Sequence, residues 1–180
     1  NAVQIDQVTT YTGPQGLVIT VPDSNDVSGS YAGGAFTAGV ARDLTGYNAL
    51  TFWAKASRVA TLNVAGIGND NTGTSKYTAE VSALALTTSW QKFIIPIPLP
   101  EKLTSEQGLF YFAEGPENGV GCQIWIDEII FENLPTVTNP RPGINTRTVD
   151  VETGETIDLN NGTGTFAVNG TDVQVSAMPG

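Results

Sequence analysis

The sequence predicts an all-β protein built as an antiparallel β-sandwich, and three observations support this. Short runs rich in Val, Ile, Thr and aromatic residues recur along the chain, separated by clusters of Gly, Asn, Asp and Pro. No window of about a dozen residues has a convincing helical period. A parallel sheet would require crossover helices, and the sequence has no segment for them. Antiparallel strands packed in two layers therefore fit the pattern best.

Seven segments are expected to form strands, and the two-residue period of a strand assigns their faces. They are Leu17 to Val21, Ala49 to Lys55, Thr61 to Ile67, Lys76 to Val81, Gln91 to Ile97, Leu109 to Ala113 and Gln123 to Glu132. Phe93, Ile95 and Ile97 alternate along one of them, so we expect these side chains to face the core. In the segment 49–55, one alternating set is core. The other set, which includes Trp53, lies on an outer or concave face.

The chain divides near residue 134. Residues 1–134 contain the seven segments, and residues 135–145 are rich in proline and lack apolar periodicity, which is typical of a linker. Residues 146–180 contain further strand-like runs, too few to close a sandwich alone. We therefore expect these extra C-terminal β-strands to be a truncated β-segment that is either poorly ordered or stabilised by packing against the first domain.

Composition and charge exclude several functions. The 180 residues include 18 acids, 8 bases, no histidine and one cysteine, Cys122, which gives a net charge of −10. Without histidine there is no Ser-His-Asp triad and no imidazole-ligated zinc. The negative charge disfavours nucleic acid and anionic lipid. These features indicate a module that works outside the cytoplasm on a neutral or weakly charged partner.

The acidic cluster Asp127, Glu128 and Glu132 invites a catalytic interpretation. In a regular strand Asp127 and Glu128 would point to opposite faces, whereas Glu128 and Glu132 would share a face about 13 Å apart. Retaining glycoside hydrolysis requires two carboxyl groups roughly 5 Å apart. The spacing therefore favours a structural role for the cluster.

Five segments together resemble a known family of modules. They are Ser30 to Phe36 (SYAGGAF), Asp43 to Ser57 (DLTGYNALTFWAKAS), Gly68 to Tyr77 (GNDNTGTSKY), Leu86 to Ile97 (LTTSWQKFIIPI) and Ala113 to Glu132 (AEGPENGVGCQIWIDEIIFE). Over residues 14–134 the chain resembles non-catalytic carbohydrate-binding modules of the galactose-binding-like, jelly-roll β-sandwich type. Such modules are attached to secreted bacterial polysaccharide-degrading enzymes or surface glycan-binding proteins. The resemblance therefore implies a secreted or bacterial cell-surface module that is monomeric within a multidomain protein. The tail 148–180 looks like the opening of a bacterial immunoglobulin-like domain.

This resemblance implies non-catalytic binding of a polysaccharide, with a β-glucan favoured and mannan or xylan possible. A jelly-roll glycosidase or lyase, and a structural spacer or adhesion module, remain the alternatives. The resemblance also implies a structural calcium ion held by Asp127 in the last strand and by Asp6 near the start of the chain, with Asp23 and Asp26 as further candidates. Calcium takes hard oxygen ligands of this kind. Alternatively, Asp127 accepts hydrogen bonds from nearby backbone N–H groups.

Aromatic candidates for sugar binding come from strands and from the ends of loops. Trp53 has polar alternating neighbours, which suits a ligand-facing surface. Tyr77 closes one loop and is a candidate. Tyr111 and Phe112 precede another loop, and Phe112 is the candidate there. Tyr31 lies in a glycine-rich segment where it leans over a cleft or fills a gap between strands. For Trp90 and Trp125, packing in the core or at a sheet edge is the better interpretation.

The polar candidates lie in two loops, because binding residues concentrate on loops held by a rigid scaffold. Asn69 and Asp70 belong to the first loop, and Glu114 and Glu117 belong to the second. Planar amide and carboxylate groups can bridge paired sugar hydroxyls. Turn geometry alone explains many of these residues. The binding hypothesis requires that these groups and the aromatic rings converge on one surface.

Overall fold

Antiparallel β-strands and a 3₁₀ helix at Pro100–Lys102 form the framework of the computed structural model, which describes residues 2–73 and 77–134 and the backbone of four further strands. The first nine strands are β1 Val3–Asp6, β2 Gly16–Val21, β3 Ala32–Arg42, β4 Ala49–Ala56, β5 Ala60–Ile67, β6 Tyr77–Leu86, β7 Gln91–Pro96, β8 Glu106–Glu114 and β9 Cys122–Glu132. The further four are β10 Asn145–Asp150, β11 Glu155–Asp158, β12 Thr163–Val168 and β13 Thr171–Ser176. In the described part, no helix is long and apolar enough to cross a membrane.

The strands assemble into two sheets that face each other across the core. A five-stranded sheet has the order β1-β2-β9-β4-β7, and a six-stranded sheet has the order β11-β10-β6-β5-β8-β3. β12 and β13 form a separate pair. The all-β sandwich expected from the sequence is confirmed, and each of the seven predicted strand segments coincides with a strand. β1 and β3 are additional.

Aromatic and aliphatic side chains from both sheets fill the space between them. Phe52 of the five-stranded sheet packs on Phe93 beside it (5.5 Å between ring centroids) and on Phe110 of the facing sheet (5.6 Å). Ile95 of β7 and Ile97, which directly follows that strand, are also buried, and this confirms the predicted core face. Burial of these rings is the main force that holds the two sheets together.

An irregularity in β9 changes the direction of its acidic side chains. The pairing of β4 with β9 shifts register between Thr51 and Trp53, and Glu128 adopts a positive φ of 51°. As a result Asp127 and Glu128 both contact the segment that follows β1: Asp127 Oδ2 accepts the backbone N–H of Tyr11 (2.8 Å), and the Thr12 hydroxyl donates to Glu128 Oε1. The prediction that these two carboxylates point to opposite faces is wrong, because it assumed an uninterrupted strand.

The six-stranded sheet extends beyond residue 134. β10 pairs antiparallel with β6 from Asn145 opposite Ser82 to Asp150 opposite Tyr77, and β11 pairs with β10. The predicted division into residues 1–134, 135–145 and 146–180, with an immunoglobulin-like last part, stays a prediction. Residues 135–144, which make up most of the predicted linker, lie outside the described residues.

Candidate functional site

The outward face of the six-stranded sheet carries tyrosines, and we name it the tyrosine face, defined by Tyr31, Tyr111, Gly33, Gly66 and Glu80. Pairing places Ala35, Tyr111, Gly66 and Glu80 in one row across β3, β8, β5 and β6. Tyr111 lies between two buried phenylalanines in β8, so it points away from the core. Gly66 and Glu80 are also flanked by core residues in their own strands, so the row faces away from the core.

The two tyrosine rings rest on glycines of the neighbouring backbone. A Cβ atom placed on Gly33 would overlap the ring of Tyr31, and one placed on Gly66 would overlap the ring of Tyr111. Glycine at these strand positions therefore allows each ring to lie close to the sheet. Tyr31 is 62% exposed, so its ring is open to solvent, whereas Tyr111 is only 9% exposed.

Tyr111 is held in place by a polar contact within the row. Its hydroxyl donates a hydrogen bond to Glu80 Oε2 across β5. Gly33 pairs with Ala113, so Gly33 and Tyr111 are diagonal neighbours about 7–8 Å apart. The exposed ring of Tyr31 thus lies beside a fixed phenol–carboxylate pair on one surface.

Glu114 lies at the end of β8 and is turned inward. Its side chain is 1% exposed, and Oε2 accepts the backbone N–H of Asn63 at 2.6 Å. Burial raises the pKa of the Glu114 carboxyl to about 7; the Asn63 hydrogen bond opposes this shift, and the nearby charge of Glu117 adds to it. Glu114 is therefore a buried group behind the surface rather than an open sugar contact.

Glu117 belongs to the loop after β8, which is fastened by an arginine. The Arg58 guanidinium donates to the backbone carbonyls of Glu117 (3.2 Å) and Val120 (2.6 Å). The Glu117 side chain is half-buried, and its Oε1 atom is buried without a hydrogen-bond partner. Of the two polar loops predicted from the sequence, this one lies at the β8 C-terminal end.

Asn69 and Asp70 lie at the opposite end of β8. The backbone of Asn69 is close to Gly108 near the start of that strand, so this loop and Glu114 are about 20 Å apart along the strand. Asn69 Oδ1 accepts the N–H of Asn71, and Asp70 Oδ1 accepts the N–H of Thr72. These are the hydrogen bonds of tight turns.

The remaining predicted contacts are also dispersed. Tyr77 and Phe112 are 1% and 2% exposed and lie in the core, where the Tyr77 hydroxyl accepts the backbone N–H of Leu99 at 3.1 Å. Trp53 lies on the outer face of the five-stranded sheet, covered by the stacked ring of Tyr11 (3.9 Å between centroids). The expected convergence of rings and polar loops is therefore wrong. Of the predicted residues, Tyr31 lies on the tyrosine face.

Sequence reasoning placed Tyr111 beside Phe112 before the second loop without selecting it as a contact, and it missed Glu80. Both had a signal in the alternation of their strands: Tyr111 lies between two core phenylalanines, and Glu80 lies between the core residues Ala79 and Val81. A polar group flanked by core residues in a strand points to the opposite face.

Trp53, Trp90 and Trp125 gather on the other side of the molecule. The Lys55 ammonium lies 5.6 Å from the ring centroid of Trp90 and 5.0 Å from that of Trp125, which is within cation–π range. Tyr11 closes this cluster through its stack on Trp53. The three rings are half-buried on the outer side of the five-stranded sheet and do not belong to the core.

Asp6 and Asp127, the residues proposed for calcium, accept hydrogen bonds directly from the segment between β1 and β2 that carries Tyr11. Asp6 accepts the backbone N–H groups of Val8 (2.8 Å) and Thr9 (3.2 Å) and the indole N–H of Trp125 (2.7 Å). Those hydrogen bonds lower the pKa of the Asp6 carboxyl. Asp127 likewise faces N–H groups, and within residues 2–73 and 77–134 no three acidic or thiol side chains converge as a metal site would require. The donors around both carboxylates fit a hydrogen-bonded clamp better than a cation.

Comparison with known proteins gives structural neighbours only. No family model and no curated protein matches the sequence. A family 30 carbohydrate-binding module superposes with a TM-score of 0.52 at 16% identity, covering 78% of this chain and 79% of that chain. The family 11 module of the cellulosomal cellulase Lic26A-Cel5E of Clostridium thermocellum gives 0.51 at 13% identity, covering 73% and 82%. The fold is a jelly-roll β-sandwich. A second structure of the family 11 module, in complex with a β-1,3-1,4-mixed-linked tetrasaccharide, matches with the same values.

Proposed function

We propose that this chain binds a polysaccharide without cleaving it, and that the tyrosine face is the binding surface. A β-glucan is the favoured ligand, with mannan and xylan as the alternatives. In this proposal the chain is a secreted or cell-surface module that brings a larger protein to its polysaccharide. The single observation that carries the proposal is the exposed ring of Tyr31, which lies against the sheet at Gly33.

The chemistry of this surface suits a neutral sugar. An aromatic ring that is held close to a rigid sheet presents an apolar face on which the C–H groups of a pyranose can pack at small cost in conformational entropy. Glu80 beside Tyr111 supplies a carboxylate that can accept hydrogen bonds from hydroxyl groups. The net charge of −10 disfavours anionic polymers and leaves neutral ones.

The acidic side chains Asp127, Glu132 and Glu114, which the structure describes, are not arranged for hydrolysis. Asp127 is engaged with backbone N–H groups of the segment after β1, and Glu132 forms an ion pair with Lys92 at 3.3 Å. Glu114 is buried behind the surface. None of these groups faces a second carboxylate across the tyrosine face, which supports binding over catalysis.

The structural neighbours support the same class of function. Modules of families 30 and 11 share the sandwich architecture, and one family 11 structure is a complex with a β-1,3-1,4-mixed-linked tetrasaccharide. Because one fold hosts many functions, the likeness supports the proposal only together with the surface described above.

Affinity electrophoresis in gels that contain soluble β-glucan, mannan or xylan tests the proposal. We expect the β-glucan gel to retard the chain, and Tyr31→Ala to weaken binding about 5- to 30-fold, since loss of an aromatic contact costs about 1–2 kcal/mol. Tyr47→Ala is the matched control, because Tyr47 is 38% exposed, lies between β3 and β4, and packs on Phe131 of the other sheet. Unretarded migration of the unmodified chain in all three gels, or equal retardation of the two variants, would contradict the proposal.

A further inference from the structure

Two strands of the tyrosine face, β5 and β6, interrupt their alternation at the same level, and this turns an asparagine outward. Regular alternation buries every second residue. In β5, however, Leu62 and Ala65 are both in the core, and β6 changes in the same way at Ala83, which adopts a positive φ of 57°. The two residues between Leu62 and Ala65 therefore face away from the core together, and the first of them, Asn63, is exposed.

A buried carboxylate fixes the backbone at Asn63. The pairing of β5 with β8 ends with Val64 opposite Ala113. At the next position, Glu114 Oε2 accepts the backbone N–H of Asn63 at 2.6 Å, so a side chain takes the place of a backbone acceptor. The Asn63 side chain thus projects from a backbone that is held from within the molecule, which reduces the entropy cost of using it as a contact.

Asn63 lies at the end of the face that carries the Tyr31 ring. β8 alone separates β5 from β3 in the sheet, so these two strands are about 10 Å apart. A Cβ atom placed on Gly115 would lie 3.9 Å from Asn63 Nδ2 and 3.9 Å from the carbonyl oxygen of Ser30. Ser30 directly precedes Tyr31. The Asn63 amide and the Tyr31 ring therefore border the same end of β8 from its two sides.

We propose that Asn63 is a ligand-binding residue of the tyrosine face, where its side-chain amide bridges two hydroxyl groups of the sugar chain beside the ring of Tyr31. This inference rests on the proposed function. An amide has a carbonyl oxygen that accepts hydrogen bonds and an NH₂ group that donates them, and each sugar hydroxyl can do both. Because the amide is uncharged, it loses less hydration energy on binding than a carboxylate does.

Isothermal titration calorimetry of the whole 180-residue chain with a β-1,3-1,4-linked tetrasaccharide tests this inference. We expect Asn63→Ala to weaken binding about ten-fold, equivalent to about 1.4 kcal/mol. Asn63→Leu should have the same effect, because it keeps the size of the side chain but removes its hydrogen bonds. Gln4→Ala is the matched control, because it removes an exposed amide from β1 at the edge of the other sheet, and it should bind like the unmodified chain.

Nuclear magnetic resonance gives a second measurement, made on the unmodified chain, which does not depend on how a variant folds. In the ¹⁵N-labelled chain, the side-chain NH₂ signals of Asn63 are identified by their absence in Asn63→Ala, and we expect them to shift on addition of the tetrasaccharide. If Tyr31→Ala loses binding while either Asn63 variant binds like Gln4→Ala, or while the Asn63 signals stay fixed, the inference is overturned and the proposed function stands. If the unmodified chain does not bind the tetrasaccharide or any of the three polysaccharides, both fail.

Discussion

Glu114 gives the clearest quantitative prediction, because it is an ionisable group enclosed at the end of the core. Its pKa rises from the ordinary 4.5 to about 7, mainly through burial. A group whose pKa is higher in the folded state binds its proton more tightly there than in the unfolded state. Its contribution to stability is therefore complete below pH 4.5 and is lost as the pH rises towards 7.

The size of the effect follows from the same two values. They differ by about 2.5 pH units, and each unit corresponds to ~1.36 kcal/mol, so ionising Glu114 lowers the free energy of unfolding by about 3 kcal/mol. Glu114→Gln cannot ionise, and its amide oxygen can still accept the Asn63 N–H. We expect the variant to gain about 3 kcal/mol relative to the unmodified chain between pH 4.5 and pH 8.

Urea denaturation followed by circular dichroism at pH 4.5, 6 and 8 measures this difference. Any pH-independent effect of the glutamine side chain on the free energy of unfolding cancels, because only the change of that free energy with pH is compared. Glu106, whose pKa burial also raises, is present in both proteins, and Asp6, Asp26 and Asp43 have lowered pKa values and titrate below this window. Glu101→Gln at an exposed position is the control. Parallel pH profiles for Glu114→Gln and the unmodified chain would refute the reasoning.

Two further predictions concern the tyrosine face and the calcium hypothesis. Gly33→Val displaces the ring of Tyr31 and should reduce glucan binding to the level of Tyr31→Ala, with little change in stability. The control is Gly39→Val in the same strand, where the added Cβ meets no atom within 4 Å, so this variant should bind normally. Equal binding by the two valine variants in affinity electrophoresis would show that the position of the Tyr31 ring is unimportant. Because Asp6 and Asp127 face N–H donors, EDTA should leave the melting temperature unchanged in calorimetry. A decrease that calcium restores would instead establish the metal site.

The strands could be predicted because burial repeats every second residue, but their exceptions could not. β3 was missed because its glycines and alanines carry little apolar periodicity, and its role is to bring Gly33 beneath Tyr31. The directions of Asp127 and Glu128 were wrong because a local irregularity, visible as the positive φ of Glu128, interrupts the alternation. The irregularity lies where β9 pairs with β4, and the sequence of one strand does not reveal how it pairs with another.

The candidate site was predicted only in part, because it depends on the order of strands in the sheet. Asn69 and Glu114 look equivalent as loop residues, yet the antiparallel pairing of β5 with β8 places them at opposite ends of the sandwich. The position of Tyr77 next to the first loop suggests a binding role, yet Tyr77 begins the alternating core set that continues with Ala79. Tyr31 was predicted from its glycine-rich neighbours, and the structure shows that those glycines make room for the ring.

The distribution of the tryptophans determines which spectroscopic signals can report which event. Trp53, Trp90 and Trp125 all lie beside the five-stranded sheet, and the tyrosine face lies beyond the core on the six-stranded sheet. Tryptophan fluorescence should therefore not change when a glycan binds, and a fluorescence titration would wrongly indicate that the protein does not bind. The same emission should respond when the segment bearing Tyr11 lifts from Trp53, which makes it a selective optical probe of the amino-terminal region.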